Sequence, residues 1–277
     1  MILDGEARMA GCSGDCDQVL YLVLASTIFL GSLGVLWAGA SAQGSITVSG
    51  FDGRSVVIGF VLFVACAYVL GVPFGIPIIL ALLLREFAQV MAYRMLGHRR
   101  ARFRFVPFMA GAGISDDPLK SDGEDFLVAI MGPALSLGPV AMGAALALVL
   151  RDWAPSLSTS LWFFAATCGA VNFVLLLPFA PFDGARCMRA AVASYWPALA
   201  PAAAVFMSTA MFTASLRTGS VALMVGAAFG AQSLLHRAER GRVPLKPDHG
   251  LLALAAYAFT MAAHFSAGWW LFGAYFR

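Results

Sequence analysis

Runs of about 20 apolar residues recur along this chain, and they constrain its fold more than any other feature. A helix of that length crosses a hydrocarbon layer roughly 30 Å thick, and lipid offers the backbone no other hydrogen-bond partner. The runs are continuous rather than alternating, which argues against a β-barrel. We therefore predict an all-α polytopic membrane protein with about eight transmembrane helices. The predicted spans are Val19–Ala40, Ser55–Val72, Phe74–Leu96, Phe126–Leu150, Ser160–Leu177, Leu199–Ser215, Ser220–Leu235 and Leu251–Phe272.

The composition excludes several other classes of protein. Only 12% of the 277 residues are charged and 60% are hydrophobic, whereas an average soluble domain has about 25% charged residues. A soluble enzyme, a disordered chain and a coiled coil are therefore excluded. The net charge of +3 and the lack of a long basic run argue against nucleic acid as a partner. Membrane lipids are the partner that this composition predicts.

The basic residues predict the orientation. They cluster after the third predicted span (98–104), after the fifth (Arg186 and Arg189) and after the seventh (237–246). These three connections fall on one side if the spans alternate, and basic loops are typically cytoplasmic. We expect a multi-pass integral protein of a bacterial inner membrane, with its basic loops in the cytoplasm.

Ionisable residues close to apolar spans are the candidates for function, because such residues are costly in lipid and normally face the protein interior. They occur in segment 84–94 of the third span and in segment 172–186 at the end of the fifth. In the first segment, Arg85 and Gln89 share a helix face and Glu86 lies beside them. Two metal-binding histidines flank a general base at this spacing in the His-Glu-x-x-His pattern of zinc proteases.

Around these positions the chain resembles the site-2 protease family (peptidase family M50), which consists of intramembrane zinc metalloproteases. The resemblance extends over roughly 74–189 and includes a small-residue helix exit at 95–98, a re-entrant strand-like segment at 105–112 and a Gly-Pro pair at 132–133. It implies a site-2 protease-like core with a short re-entrant β segment. The residues resembling the family's Asn-Pro-Asp-Gly motif are Pro178, Pro181, Asp183, Gly184 and Arg186, preceded by Asn172.

The departures from the family pattern concern the zinc ligands. Arg85 and Gln89 occupy the two histidine positions, although a guanidinium has no lone pair to offer and an amide is a poor zinc donor. Glu86, at the position of the catalytic base, and Asp183, at that of the third ligand, are retained. We therefore expect no zinc and no other cofactor. Without zinc, we also expect the loss of the hydrolysis that zinc would support.

A fixed cation could replace the metal. We expect the Arg85 guanidinium to reach Asp183, Glu86 or both, because its planar donors match a carboxylate, with Gln89 completing the hydrogen bonds. An ordinary intramembrane ion pair in an unrelated protein is the alternative interpretation of Arg85 and Glu86.

The resulting hypothesis is a pseudoprotease that binds or scaffolds other transmembrane proteins in a groove between its third and fifth spans. One alternative is an active intramembrane metalloprotease with unconventional ligands, such as Glu86, Asp183 and a distant histidine. The other is an accessory subunit of a larger membrane complex. We divide the chain into a polar tail (1–18), two N-terminal helices (19–72), the protease-like core (73–190) and C-terminal helices (191–277).

Overall fold

The computed structural model of the protein describes residues 3–42, 47–48, 57, 60–61, 64, 68, 71–99, 101–103, 115, 117–234 and 242–275. Eight helices and two short strands are defined within these ranges. The helices are α1 (Leu3–Ser41), α2 (Val72–Met95), α3 (Asp122–Val149), α4 (Pro155–Leu175), α5 (Asp183–Val192), α6 (Leu199–Thr218), α7 (Val221–Ser233) and α8 (Pro247–Tyr275). Strands β1 (Thr47–Val48) and β2 (Arg102–Phe103) pair in parallel.

Six helices of the described part are long and apolar enough to cross a membrane: α1 from Asp17 onward, α2, α3, α4, α6 and α8. Many of their large apolar side chains are exposed, Trp37 and Phe206 among them, as expected where lipid replaces water. The prediction of a polytopic helical membrane protein is therefore confirmed.

The helix at the seventh predicted span, Ser220–Leu235, is too short to be counted among these six. Helix α7 begins after Ser220, whose hydroxyl accepts a hydrogen bond from the amide of Leu223, and it has only 13 residues. At about 1.5 Å per residue it is roughly 20 Å long, which is shorter than the hydrocarbon layer. It packs as an antiparallel partner of α6, where Gly230 lies against Ser208.

Most of the second predicted span, Ser55–Val72, lies outside the described residues. Its five described members from 57 to 68 are helical and exposed. The predicted re-entrant segment at 105–112 also lies outside the described residues. Residues 3–18, predicted as a polar tail, belong to α1 from Leu3 onward.

The ends of two spans differ from their predicted positions because of local capping. Helix α3 starts at Asp122 rather than Phe126, since the Ser121 hydroxyl accepts a hydrogen bond from the Glu124 amide and the acidic first turn suits a helix N-terminus. Helix α4 starts at Pro155 rather than Ser160, because proline is well accommodated in the first turn of a helix.

Helix α3 is the centre of the bundle and packs against α1, α2, α4, α5 and α8. Small residues permit these close approaches: Gly138 of α3 contacts α1, and Gly169 of α4 contacts α8.

At the C-terminus of α1, Arg94 of α2 donates hydrogen bonds to the carbonyl oxygens of Gly39, Ala40 and Ala42 at 2.9, 3.1 and 2.6 Å. Arg94 thereby satisfies carbonyl groups that a helix end leaves without internal partners.

Candidate functional site

Helix α2 supplies three polar side chains to the interior of the bundle. Arg85 is 4% exposed, Glu86 7% and Gln89 0%. Arg85 lies ten residues before Met95, which places it about 15 Å along the axis from the end of α2. Gly132 of α3 faces it so closely that an added Cβ would lie 2.7 Å from Arg85 Cγ. The glycine of the predicted Gly-Pro pair therefore leaves room for the arginine.

The connection between α4 and α5 places a further polar residue beside α2. Helix α4 ends at Leu175, a turn containing Pro178 and Pro181 follows, and α5 begins at Asp183. Gly184 packs directly against the carbonyl oxygen of Leu176, so a Cβ at this position would overlap the backbone. The same carbonyl accepts a hydrogen bond of 2.5 Å from the Tyr257 hydroxyl of α8. These contacts fix the fully buried Asp183 beside α2.

The structure brings Arg85, Glu86, Gln89 and Asp183 together. Arg85 Nε donates to Asp183 Oδ2 at 2.6 Å, and Arg85 Nη1 donates to Glu86 Oε1 at 2.6 Å. Gln89 Nε2 lies 3.3 Å from each carboxylate oxygen of Asp183. A single guanidinium therefore lies between two carboxylates. We call these four residues the arginine centre.

The described side-chain hydrogen bond of Asn172 is not to this centre. Its Nδ2 donates a hydrogen bond of 2.8 Å to the carbonyl oxygen of Cys168, one turn earlier in α4. Pro178 is buried and Pro181 exposed within the turn that precedes Asp183. These three residues shape the end of α4 rather than supply polar groups to the centre.

Four further residues extend the charges toward one end of the bundle. Arg186 Nη1 lies 3.7 Å from Asp183 Oδ1, and Arg186 Nη2 lies 2.6 Å from Asp125 Oδ1. Asp125 Oδ2 also contacts Arg189 Nη2 at 2.5 Å and Arg242 Nη1 at 2.7 Å. Positive and negative groups thus alternate from Glu86 to Asp125. We call the end of the bundle that holds Asp125, Arg186, Arg189 and Arg242 the basic end.

Sequence reasoning missed Asp125 and interpreted Arg189 and Arg242 only as indicators of orientation. A usable signal was present, because Asp125 is an acidic residue beside an apolar helical run and such residues normally pair inside the protein. Arg186 and Arg189 are three residues apart on α5, so they lie on one face of that helix. Their shared partner could not be identified, because it lies some 60 residues earlier in the chain.

The arginine centre does not fit a zinc ion. Both oxygens of Asp183 already accept hydrogen bonds, and Arg85, at a ligand position of the family pattern, can only donate. Among the described residues, no group of three or more histidine, cysteine, aspartate or glutamate side chains is placed to hold a metal ion. The buried His264 instead bonds the carbonyl oxygen of Pro133 at 2.9 Å. No catalytic step through a metal follows from this arrangement.

Comparison of the chain with protein-family models, with curated proteins and with solved structures finds no match. The resemblance to site-2 proteases therefore depends on the motifs and their order in this sequence.

Proposed function

We propose that this protein is a catalytically inactive, site-2 protease-like membrane protein that binds transmembrane segments of other proteins. The observation that carries the proposal is the buried Arg85 guanidinium between Glu86 and Asp183. A guanidinium stays charged, and its loss would leave two buried carboxylates unpaired. Glu86 Oε1 already accepts a hydrogen bond from Arg85 Nη1 at 2.6 Å, so this oxygen is not free to take a proton from a water molecule.

The binding part of the proposal is supported by an apolar cavity of about 210 Å³ between α2 and α4. These two helices correspond to the third and fifth predicted spans. Leu80, Ala81 and Leu84 line it from α2, and Phe164 and Cys168 from α4, with α3 behind. Because Leu80 is 46% exposed, the cavity is accessible from the lipid-facing side, where an apolar helix of a partner could pack.

The orientation is part of the proposal. We propose that the basic end faces the cytoplasm of a bacterium and that the chain spans the inner membrane. In support, the last turn of α2 reaches the same end as α5 and Arg242, since Tyr93 is within electrostatic range of Arg186, Asp125 and Arg242. The described parts next to the three basic connections, namely the last turn of α2, α5 and Arg242, thus support a common side.

Site-directed photo-crosslinking in native membranes tests the binding proposal. A photoreactive residue replaces Leu80 at the cavity, and the matched control replaces Leu148, which is similarly exposed (42%) but lies away from the cavity. We expect a discrete adduct with another membrane protein from position 80 and none from position 148. The same adducts from both positions, or none from position 80, would contradict the proposal.

A further inference from the structure

At the basic end, three guanidinium groups converge on a single buried carboxylate. Arg186, Arg189 and Arg242 all contact Asp125, which is itself 0% exposed. The arginines come from α5 and from the segment before α8, whereas Asp125 comes from the first turn of α3. This cluster is separate from the apolar cavity between α2 and α4.

The cluster contains buried donors that its one carboxylate does not satisfy. Arg186 Nη1 and Arg189 Nε have no hydrogen-bond partner among the described residues. A guanidinium has five N–H donors, and an unsatisfied buried donor is costly. The side chains remain partly accessible, with 19% exposure for Arg186 and 29% for Arg189. A ligand with several acceptor oxygens could therefore contact these side chains from outside.

The charges of the cluster indicate the sign of that ligand. Three guanidinium groups face Asp125, and Asp122 is the second acid within electrostatic range of Arg189 and Arg242. The guanidinium groups outnumber the one carboxylate that all three contact, so their remaining donors favour an anionic ligand. Guanidinium groups bind phosphate oxygens well because their planar donors match the geometry of the oxygens.

The depth of the cluster indicates the source of the phosphate. Helix α3 has 28 residues and is about 42 Å long, so both of its ends extend beyond a hydrocarbon layer of about 30 Å when the helix is centred in that layer. Asp125 and its arginines then lie at the level of the lipid headgroups. Basic pockets between transmembrane helices at this level are typical binding sites for anionic lipids.

We propose that Arg186, Arg189 and Arg242 form a binding site for the phosphate group of an anionic phospholipid. The lipid phosphate accepts hydrogen bonds from the donors that Asp125 leaves unused. It also links α5 to the segment that leads into α8.

Native mass spectrometry and thermal unfolding of the full chain in nanodiscs test this proposal. Phosphatidylglycerol nanodiscs are compared with phosphatidylcholine nanodiscs, with and without added inorganic phosphate. We expect the chain to retain phosphatidylglycerol and to unfold at a higher temperature in its presence. Inorganic phosphate in phosphatidylcholine nanodiscs should not reproduce this effect, and if it does, the assignment to a lipid is wrong.

The variant for this test is Arg189→Gln, and the matched control is Arg217→Gln, at the exposed far end of α6. Affinity for phosphatidylglycerol should fall about tenfold in Arg189→Gln, as expected when one charge-assisted hydrogen bond is lost. It should not change in Arg217→Gln. Because each variant is compared between the two lipids, a general loss of stability cancels. Equal retention of phosphatidylglycerol by Arg189→Gln and the unmodified chain would overturn the proposal.

Discussion

Arg85 illustrates how one residue can determine the chemistry of a buried site. Its guanidinium forms short hydrogen bonds to carboxylates on two sides, and all three side chains are almost completely buried. Removing one partner of a buried ion pair costs about 3–5 kcal/mol, because the remaining charge is left without compensation. Here the loss of Arg85 would leave two such charges.

We predict that Arg85→Ala lowers the free energy of unfolding by at least about 3–5 kcal/mol. Arg85→Lys should retain only part of the stability lost in Arg85→Ala, because an ammonium group cannot match both carboxylates with planar donors. Thermal unfolding in detergent measures both variants, with Arg151→Ala at an exposed position as the control. An unchanged unfolding temperature for Arg85→Ala would show that the ion pairs do not stabilise the fold.

Two glycines around this centre should differ in their tolerance of a methyl group. At Gly184 a Cβ would overlap the backbone carbonyl of Leu176, which cannot move freely, whereas at Gly132 it would press on the side chain of Arg85. We predict that Gly184→Ala is more destabilising than Gly132→Ala, as measured by thermal unfolding. Gly34→Ala is the control, since nothing lies within 4 Å of an added Cβ there. Equal stability of Gly184→Ala and Gly34→Ala would argue against the packing described here.

Among the helices, the sequence predicted the apolar ones best. Spans such as α2 and α8 follow from their length and hydropathy alone, because the membrane imposes both. The polar helix α5 was not predicted, since its ten residues are too few and too polar to match a membrane span. The sequence alone predicted, from their spacing, that Arg85 and Gln89 share one face of a helix. Their contact with Asp183, 98 and 94 positions away respectively, was only a hypothesis until the fold placed them together.

The attachment of α1 to the bundle depends on a side chain of α2. Because Arg94 satisfies three carbonyl groups at the end of α1, we predict that Arg94→Ala loosens this end of the helix. Hydrogen exchange of the amides at 36–41 should become faster, while exchange in α4 should not change. The control is again Arg151→Ala. Equal exchange at 36–41 in both variants would show that Arg94 does not hold α1 in place.

At the scale of the whole molecule, the basic end should determine the orientation in the membrane. We predict that alkaline phosphatase is inactive when fused after Arg99, which follows α2, and active when fused after Trp153, between α3 and α4. The enzyme folds only outside the cytoplasm, so its activity reports the side of each fusion point. The reverse pattern of activity would contradict the proposed orientation.

The whole molecule is best described as a helical membrane bundle built around a fixed cation where its proposed relatives hold a removable one. The most direct test is the zinc content of the purified chain and of the double variant Arg85→His with Gln89→His, measured by elemental mass spectrometry. We predict no stoichiometric zinc in the unmodified chain and about one zinc ion per chain in the double variant, which would supply the three protein ligands of a catalytic zinc site. Stoichiometric zinc in the unmodified chain that is lost on Asp183→Asn, or a double variant that folds but binds none, would contradict the account.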